Sequence, residues 1–403
     1  MNSGIRLFLS GLIIAAIALG GFFACKKIKT HETPAPLQQS LDSVFTSVFR
    51  LPDAPGAIVM ITKDDSLVYK RSFGMAALDK PLKMTDSTLL NICSISKQFS
   101  AVALLKLEEL ELLSLDDTVK KYFPQYKSGI FNKIALSNLL SHTSGLPDNR
   151  PYTEDDWKEY SKIHQSCFNN ISDFCHYCPW QESCAFYENL DTLKFEPGTA
   201  YDYQNPTYQL VLPIVESVTG KNFDLWMKEN IFMPAGMTET YYVQQGRIIP
   251  RMAHAYRLAD STRHTNAYIS ENGRWEEFDY GEANYFTTKA DGGIYTSARD
   301  FLKWQHALFS GRIISKEALY QAIQPHITTD IPDTGYGYGF FIEEKPEMPR
   351  KIFHTGDNGA FCTYAATIPE KGINYIIFAN RNDWNREATV AATDSVLRAN
   401  RIL

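Results

Sequence analysis

The sequence predicts an α/β (α+β) fold: one antiparallel sheet of five or more strands built from both chain ends, flanked by terminal helices, with a large helical insertion. Three observations carry this. Strand-type runs rich in Val, Ile, Tyr and Phe gather at residues 56–74 and 336–380, a helix-rich stretch of about 76–330 separates them, and amphipathic segments open and close the body. Of 403 residues, 44% are apolar and 21% charged, which supports a sizeable core and excludes both a disordered chain and a polytopic membrane protein. The net charge is -6, from 40 Lys plus Arg against 46 Asp plus Glu, with no run of like charge, so no nucleic acid partner is expected.

Taken in chain order, residues 7–24 (LFLSGLIIAAIALGGFFA) carry no charge, follow Arg6 and end directly before Cys25. They resemble a bacterial lipoprotein signal in which Cys25 is the lipid-attachment residue; an uncleaved anchor and a plain cleaved signal are the alternatives. The expected location is the bacterial cell envelope, with the protein tied to the membrane by an N-terminal lipid or helix and facing the periplasm or exterior. Residues 1–24 read as the signal segment and 25–36 as a polar, Pro-containing tether. Residues 37–400 read as one domain with its sheet part at about 37–75 and 331–400 and its helical part at about 76–330.

Leu41, Val44, Phe45 and Val48 recur at helical spacing and predict an amphipathic helix over 37–49. GAIVMITK and SLVYKRSFG flank Asp64-Asp65 as a hairpin, and the apolar run from Ile58 to Ile61 suits a strand buried on both faces. SISKQFSAVALLKLEELELL leaves almost no polar face, the mark of a buried helix. YGYGFFIEE, KIFHTG, CTYAATIP and INYIIFAN read as four strands, the last two joined by the turn Glu370-Lys371-Gly372, before a closing helix over about 387–398. No internal repeat occurs.

The chemistry starts from Ser94 and Lys97, the chain's one Ser-x-x-Lys, at the head of the buried helix. Three residues apart on a helix, both side chains share a face. A lysine there is desolvated and beside the positive end of the helix dipole, both of which favour the neutral amine that can take a proton from serine. Read alone, the pair equally fits a Ser94 N-cap with Lys97 snorkelling to solvent. Two further segments add to it. Tyr203-Gln204-Asn205 follows the Pro197-Gly198 turn and precedes an apolar helix from about Thr207, so a phenol and an amide two residues apart can point one way. His354-Thr355-Gly356 closes a strand-type run, where the glycine would let a substrate backbone lie along the strand.

Together NICSISKQFSAVALLKLEE, FEPGTAYDYQNPTYQL and FHTGDNGAFCTY resemble, in content and order, the penicillin-recognising serine hydrolases: class C β-lactamases, D-alanyl-D-alanine carboxypeptidases and related esterases. LDDTVKKYFP, LLSHTSGLP and DGGIYTSARDFLKW resemble family segments too, so the likeness spans about 37–400. It implies a β-lactamase/transpeptidase-like fold and an exported hydrolase acting through an acyl-enzyme on small esters, amides or D-amino-acid peptides. Catalysis would rest on Ser94, Lys97 and Tyr203, substrate binding on Asn205, His354, Thr355 and Gly356, and the oxyanion hole on the backbone N–H groups of Ser94 and Asp357. The alternatives are a non-catalytic penicillin-binding-like envelope protein and a true β-lactamase. His354 in place of the usual Lys leans towards esterase, amidase or peptidase, since a neutral imidazole attracts a carboxylate weakly. Asp357 would repel an anionic substrate end, and Cys93 stands where Gly is usual. Tyr187-Glu188-Asn189 is a decoy without the flanking turn and helix, and Tyr201 reads as packing.

Seven cysteines remain to be placed. In an exported chain Cys167, Cys175, Cys178 and Cys184, within a Cys-rich flap over about 148–193, read as two disulfides; a metal site helped by His164 or His176, or free thiols, are the alternatives. Cys93 and Cys362 read as two buried thiols rather than a further bridge. His142 reads as a structural hydrogen-bonder, and His254, His264, His306 and His326 sit in no pattern. No cofactor or metal is expected, and the partners are a small-molecule or peptide substrate and the membrane.

Overall fold

The computed structural model describes residues 29–30, 35–148, 158, 180–242, 249–259, 268–278 and 289–403. Cys25, Cys167, Cys175, Cys178, His164, His176 and His264 lie outside the described residues, as does most of the 148–193 segment. Among the described residues no helix is long and apolar enough to cross a membrane.

The chain ends build the sheet. Its strands are β1 (Lys29–Thr30), β2 (Ala57–Lys63), β3 (Ser66–Phe73), β4 (Ile327–Thr328), β5 (Thr334–Tyr336), β6 (Phe341–Glu343), β7 (Lys351–Asn358), β8 (Phe361–Ile368) and β9 (Ile373–Ala379). The order across the sheet is β1-β3-β2-β9-β8-β7-β6-β5-β4, antiparallel except for the β1–β3 edge pair. Asp64 and Asp65 both have positive φ, 49° and 61°, as a two-residue hairpin turn requires for the strand twist to continue. The run at 336–344, expected as one strand, is instead two, β5 and β6, joined through Gly337–Phe340. Gly339 in that turn has φ +81°, and a Cβ there would lie 2.8 Å from the Lys97 carbonyl oxygen, so the turn packs onto the backbone of the buried helix.

Alternation along each strand sends side chains to two cores. Val59, Ile61, Tyr375 and Ile377 meet Leu41, Phe45 and Leu397 of the terminal helices Ala35–Val48 and Arg386–Ala399. Ile58, Met60, Ile376 and Phe378 face the helical region and the helix Ser96–Glu109, whose residues from Ser96 to Leu105 are all buried. A small sheet, Leu89–Asn91 beside Ile294–Ser297 beside Thr240–Tyr242, carries the chain into that helix from below.

Candidate active site

Ser94 sits in a 3-10 turn, Cys93–Ile95, that runs directly into the buried helix. Cys93 takes the left-handed backbone, φ +52°, that normally favours glycine, and its N–H donates to Asn91 Oδ1 at 2.9 Å. Such a conformation in a non-glycine residue costs on the order of 1–3 kcal/mol and persists only where neighbours enforce it. The enforcing neighbour is β7. A Cβ on Gly356 would lie 2.5 Å from the Ile92 carbonyl oxygen and 2.9 Å from Cys93 Cβ, so the strand lies against the turn that presents Ser94. The missing side chain of this glycine makes room for the protein's own turn.

Lys97, one helical turn on and fully buried, donates from Nζ to Ser94 Oγ at 3.0 Å, Asn205 Oδ1 at 2.7 Å and the Asp291 carbonyl at 2.9 Å. The snorkelling alternative fails on that burial. Asn205 opens the helix Asn205–Gln209, with Pro206 in its first turn supplying a φ already suited to the helix. Upstream, His142 brackets the loop: its carbonyl accepts the Asp202 N–H at 2.9 Å and its Nδ1 accepts the Gln204 N–H at 3.1 Å. Accepting at Nδ1 leaves the neutral ring's proton on Nε2. Burial, the largest cause, holds His142 well below the usual imidazole range. Between these two contacts Tyr203 is clasped, its ring 4.1 Å from the His142 ring and 4.9 Å from Lys97 Nζ, centroid distances in both cases. His142 is thus a structural hydrogen-bonder, and it acts on the Tyr203 loop.

Ser94, Tyr203, Asn205, Thr355 and Asp357 converge on a cleft of about 370 Å³, whose walls also include Tyr201, Thr329, Asp330, Ile331 and Phe341. His354 does not line it. The ring is buried, Nδ1 donates to the Thr355 carbonyl at 2.6 Å, and Nε2 accepts from the Tyr336 hydroxyl at 3.0 Å. Burial, reinforced by the charge of Lys97, pushes it down to about 3, so it is a neutral support behind the cleft wall. The carboxylate of Asp357 is also not the bare anion the sequence suggested. Arg386 Nη1 lies 2.9 Å from both its oxygens, and the same nitrogen reaches the Gly356 and Thr363 carbonyls at 3.4 Å.

Two cysteine readings separate. Cys93 and Cys362 are buried free thiols; burial raises both above the ordinary thiol range, Cys362 up to about 12. Cys184 is corrected from disulfide to free thiol: it lies on the helix Trp180–Glu188, is buried in the core, and its carbonyl accepts the Tyr126 hydroxyl at 2.9 Å. The decoy Tyr187 is core as well, its hydroxyl donating to the Pro147 carbonyl at 3.0 Å. Among the described residues no group of three or more His, Cys, Asp or Glu is arranged to hold a metal. Sequence reasoning missed Arg386, Tyr336, Phe341 and the Thr329–Ile331 turn. Tyr201, read as packing, lies in the cleft wall.

Residues 45–399 match the protein-family model described as Beta-lactamase. Among curated relatives, the chain is 25% identical over 332 residues to a penicillin-binding protein of Bacillus subtilis (strain 168), covering 81% of this chain and 68% of that protein. It is 24% identical over 351 residues to Protein flp of Staphylococcus aureus (strain NCTC 8325 / PS 47), covering 86% of this chain and 63% of the relative. The chain thus spans about two thirds of the length of these relatives. Among solved structures, an octameric penicillin-binding protein homologue from Pyrococcus abyssi superposes with a TM-score of 0.71 at 25% identity, covering 90% of this chain and 76% of that one. The fold is shared with the D-amino acid amidase of Ochrobactrum anthropi SV3, TM-score 0.69 at 22% identity, covering 91% and 99%.

Proposed function

The chain belongs to the beta-lactamase family and is a serine hydrolase of that fold, and from this premise we propose that it works through an acyl-enzyme on small esters, amides or D-amino-acid peptides. The observation that carries the mechanism is the placement of Lys97 Nζ 3.0 Å from Ser94 Oγ at the floor of an open cleft. Around Nζ, Asn205 Oδ1 and the Asp291 carbonyl only accept. A neutral amine that gives its two N–H to them can turn its lone pair to the Ser94 hydroxyl, which can donate.

In this reading Ser94 Oγ attacks the substrate carbonyl carbon as its proton passes to Lys97, and the carbonyl electron pair moves onto oxygen facing the backbone N–H groups of Ser94 and Asp357. Each such donor is worth about 2.7–4 kcal/mol to the transition state. The tetrahedral adduct collapses, the C–O or C–N bond breaks, and the leaving group takes its proton from the Lys97–Tyr203 pair. Water then adds to the acyl-Ser94 ester as its proton passes to the Lys97–Tyr203 pair, and the second adduct collapses with cleavage of the bond to Ser94 Oγ, which takes that proton back as the acid leaves. Asn205, oriented by Lys97, presents its amide to the substrate, and Thr355 lines the opposite wall. His354 acts indirectly, bracing Tyr336. The apolar stretch just before Cys25 supports our further proposal that the enzyme is exported and membrane-anchored, and the main sheet built from both chain ends supports one catalytic unit over about 37–400.

A fluorophosphonate probe tests the reading. Wild-type protein is expected to be labelled stoichiometrically and a Ser94→Ala variant not at all. Absence of Ser94-dependent labelling sinks the hydrolase mechanism and leaves the non-catalytic alternative.

A further inference from the structure

We propose that Asp330 is a specificity-determining residue of this cleft and that the preferred substrate carries a cationic ammonium group on its acyl portion. The inference rests on the hydrolase reading and follows from an inventory of charge at the cleft. Lys97 is buried at the floor with its donors directed at protein acceptors. Asp357 is matched by Arg386, whose guanidinium is itself held by the Gly356 and Thr363 carbonyls, so this pair presents little net charge. His354 is buried and neutral. Asp330 is the remaining charge: it is exposed, it lines the cleft, and among the described residues no cation pairs with it.

The turn that carries Asp330 is also held by its own hydrogen bonds. Asp330 sits in the turn between β4 and β5, where Thr329 Oγ1 donates to the Thr334 carbonyl at 2.8 Å and the Ile331 N–H donates to Thr329 Oγ1 at 3.2 Å, and the Thr334 N–H closes back on the Ile331 carbonyl at 3.2 Å. The other walls are aromatic: Tyr201, Tyr203 and Phe341. Tyr201 is held above the usual phenol range by burial, then by Tyr203 and by the charge of Asp330, which puts ring and carboxylate in one electrostatic neighbourhood. Aromatic faces beside a carboxylate suit an alkylammonium, which gains from both the ring quadrupole and the charge. Among the described residues, a substrate carboxylate would meet Asp330 with no cation in the cleft wall beyond the Asp357–Arg386 pair to offset it.

The test compares p-nitrophenyl esters of 4-(trimethylammonio)butanoic acid, its neutral isostere 5,5-dimethylhexanoic acid, and the anionic glutaric acid monoester. At low ionic strength kcat/KM is expected to favour the cationic over the neutral ester by about five- to tenfold, and the neutral over the anionic ester, with both ratios shrinking in high salt. Asp330→Asn is expected to bring the cationic-to-neutral ratio to about one, and Asp330→Glu to restore most of it. A wild-type ratio near one, or a ratio that survives Asp330→Asn, overturns the proposal. Binding of the corresponding amides to Ser94→Ala protein with and without Asp330→Asn, by calorimetry, reads the same preference without turnover. Failure of every ester to be hydrolysed therefore strikes the acyl-enzyme reading, while loss of the binding preference strikes this one.

Discussion

Replacing Gly356 by alanine perturbs the contact that sets the nucleophile. The added Cβ would lie 2.4 Å from Thr363 Oγ1, 2.5 Å from the Ile92 carbonyl oxygen and 2.9 Å from Cys93 Cβ, where ordinary contact begins at 3.4 Å. Thr363 Oγ1 can rotate away only by giving up its bonds to the Ile92 and Gly356 carbonyls, both 3.2 Å. Ile92 is backbone and cannot rotate away. The strand or the turn must therefore move by about 0.9 Å at Ile92, and the moving parts carry Ser94 on one side and Thr355 and Asp357 on the other. A misplacement near 1 Å costs about 100-fold in rate, and overpacking of this kind about 1–3 kcal/mol in stability. The assay is kcat/KM on a p-nitrophenyl ester beside urea denaturation, with Gly129→Ala as control because nothing lies within 4 Å of its added Cβ. The reasoning is refuted if Gly356→Ala keeps wild-type kcat/KM, since the strand would then not be what holds the turn.

Two more outcomes follow from the buried groups. His354 is held down to about 3 against an ordinary 6.5, so between those values the unfolded chain binds a proton that the native chain does not, and stability, full above 6.5, is lost as pH falls. From about pH 7.5 to about pH 5 the loss from His354 is about 2 kcal/mol, with His142 adding in the same direction, and urea midpoints that do not fall over this range would contradict the buried neutral imidazoles. Cys184 is expected to be alkylated as a free thiol when the protein is unfolded without reductant, and a disulfide-linked peptide containing it in the mass spectrum would restore the bridge that its core position argues against.

How far the site is legible in the sequence depends on how local each part of it is. Ser94 and Lys97 are three residues apart across one junction of 3-10 turn and helix, and Tyr203 and Asn205 flank one loop–helix junction, so their mutual geometry is set within a turn of backbone. The long strands of the sheet are legible for the same reason, as runs whose apolar content needs no partner to be seen, whereas the two-residue edge strands β1 and β4 exist only through their pairing with a neighbour. Where reading errs, a local rule competes with a stronger one. Cys184 suggests a bridge by its three cysteine neighbours in sequence, yet it also lies three residues before Tyr187 on a helix whose shared face is core. His354 and Thr355 are adjacent on a strand and so point to opposite faces, which means only one of them can line the cleft; that signal was available in the strand period itself.

Arg386 and Asp330 have no such local signal. Arg386 is one of 40 basic residues in the chain and meets Asp357 only because β8 and β9 return the closing helix to the end of β7. Its arrival reverses the electrostatic inference drawn from Asp357 alone: a carboxylate with two 2.9 Å contacts to a guanidinium is a weak field for a substrate, whereas Asp330, unremarked in a polar turn, is the one left facing the cleft. The bias against an anionic substrate end, first read from Asp357, therefore rests in our proposal on a different residue and a different wall. That difference is measurable, because in this arrangement Asp330→Asn removes the preference while the Asp357–Arg386 pair stays in place.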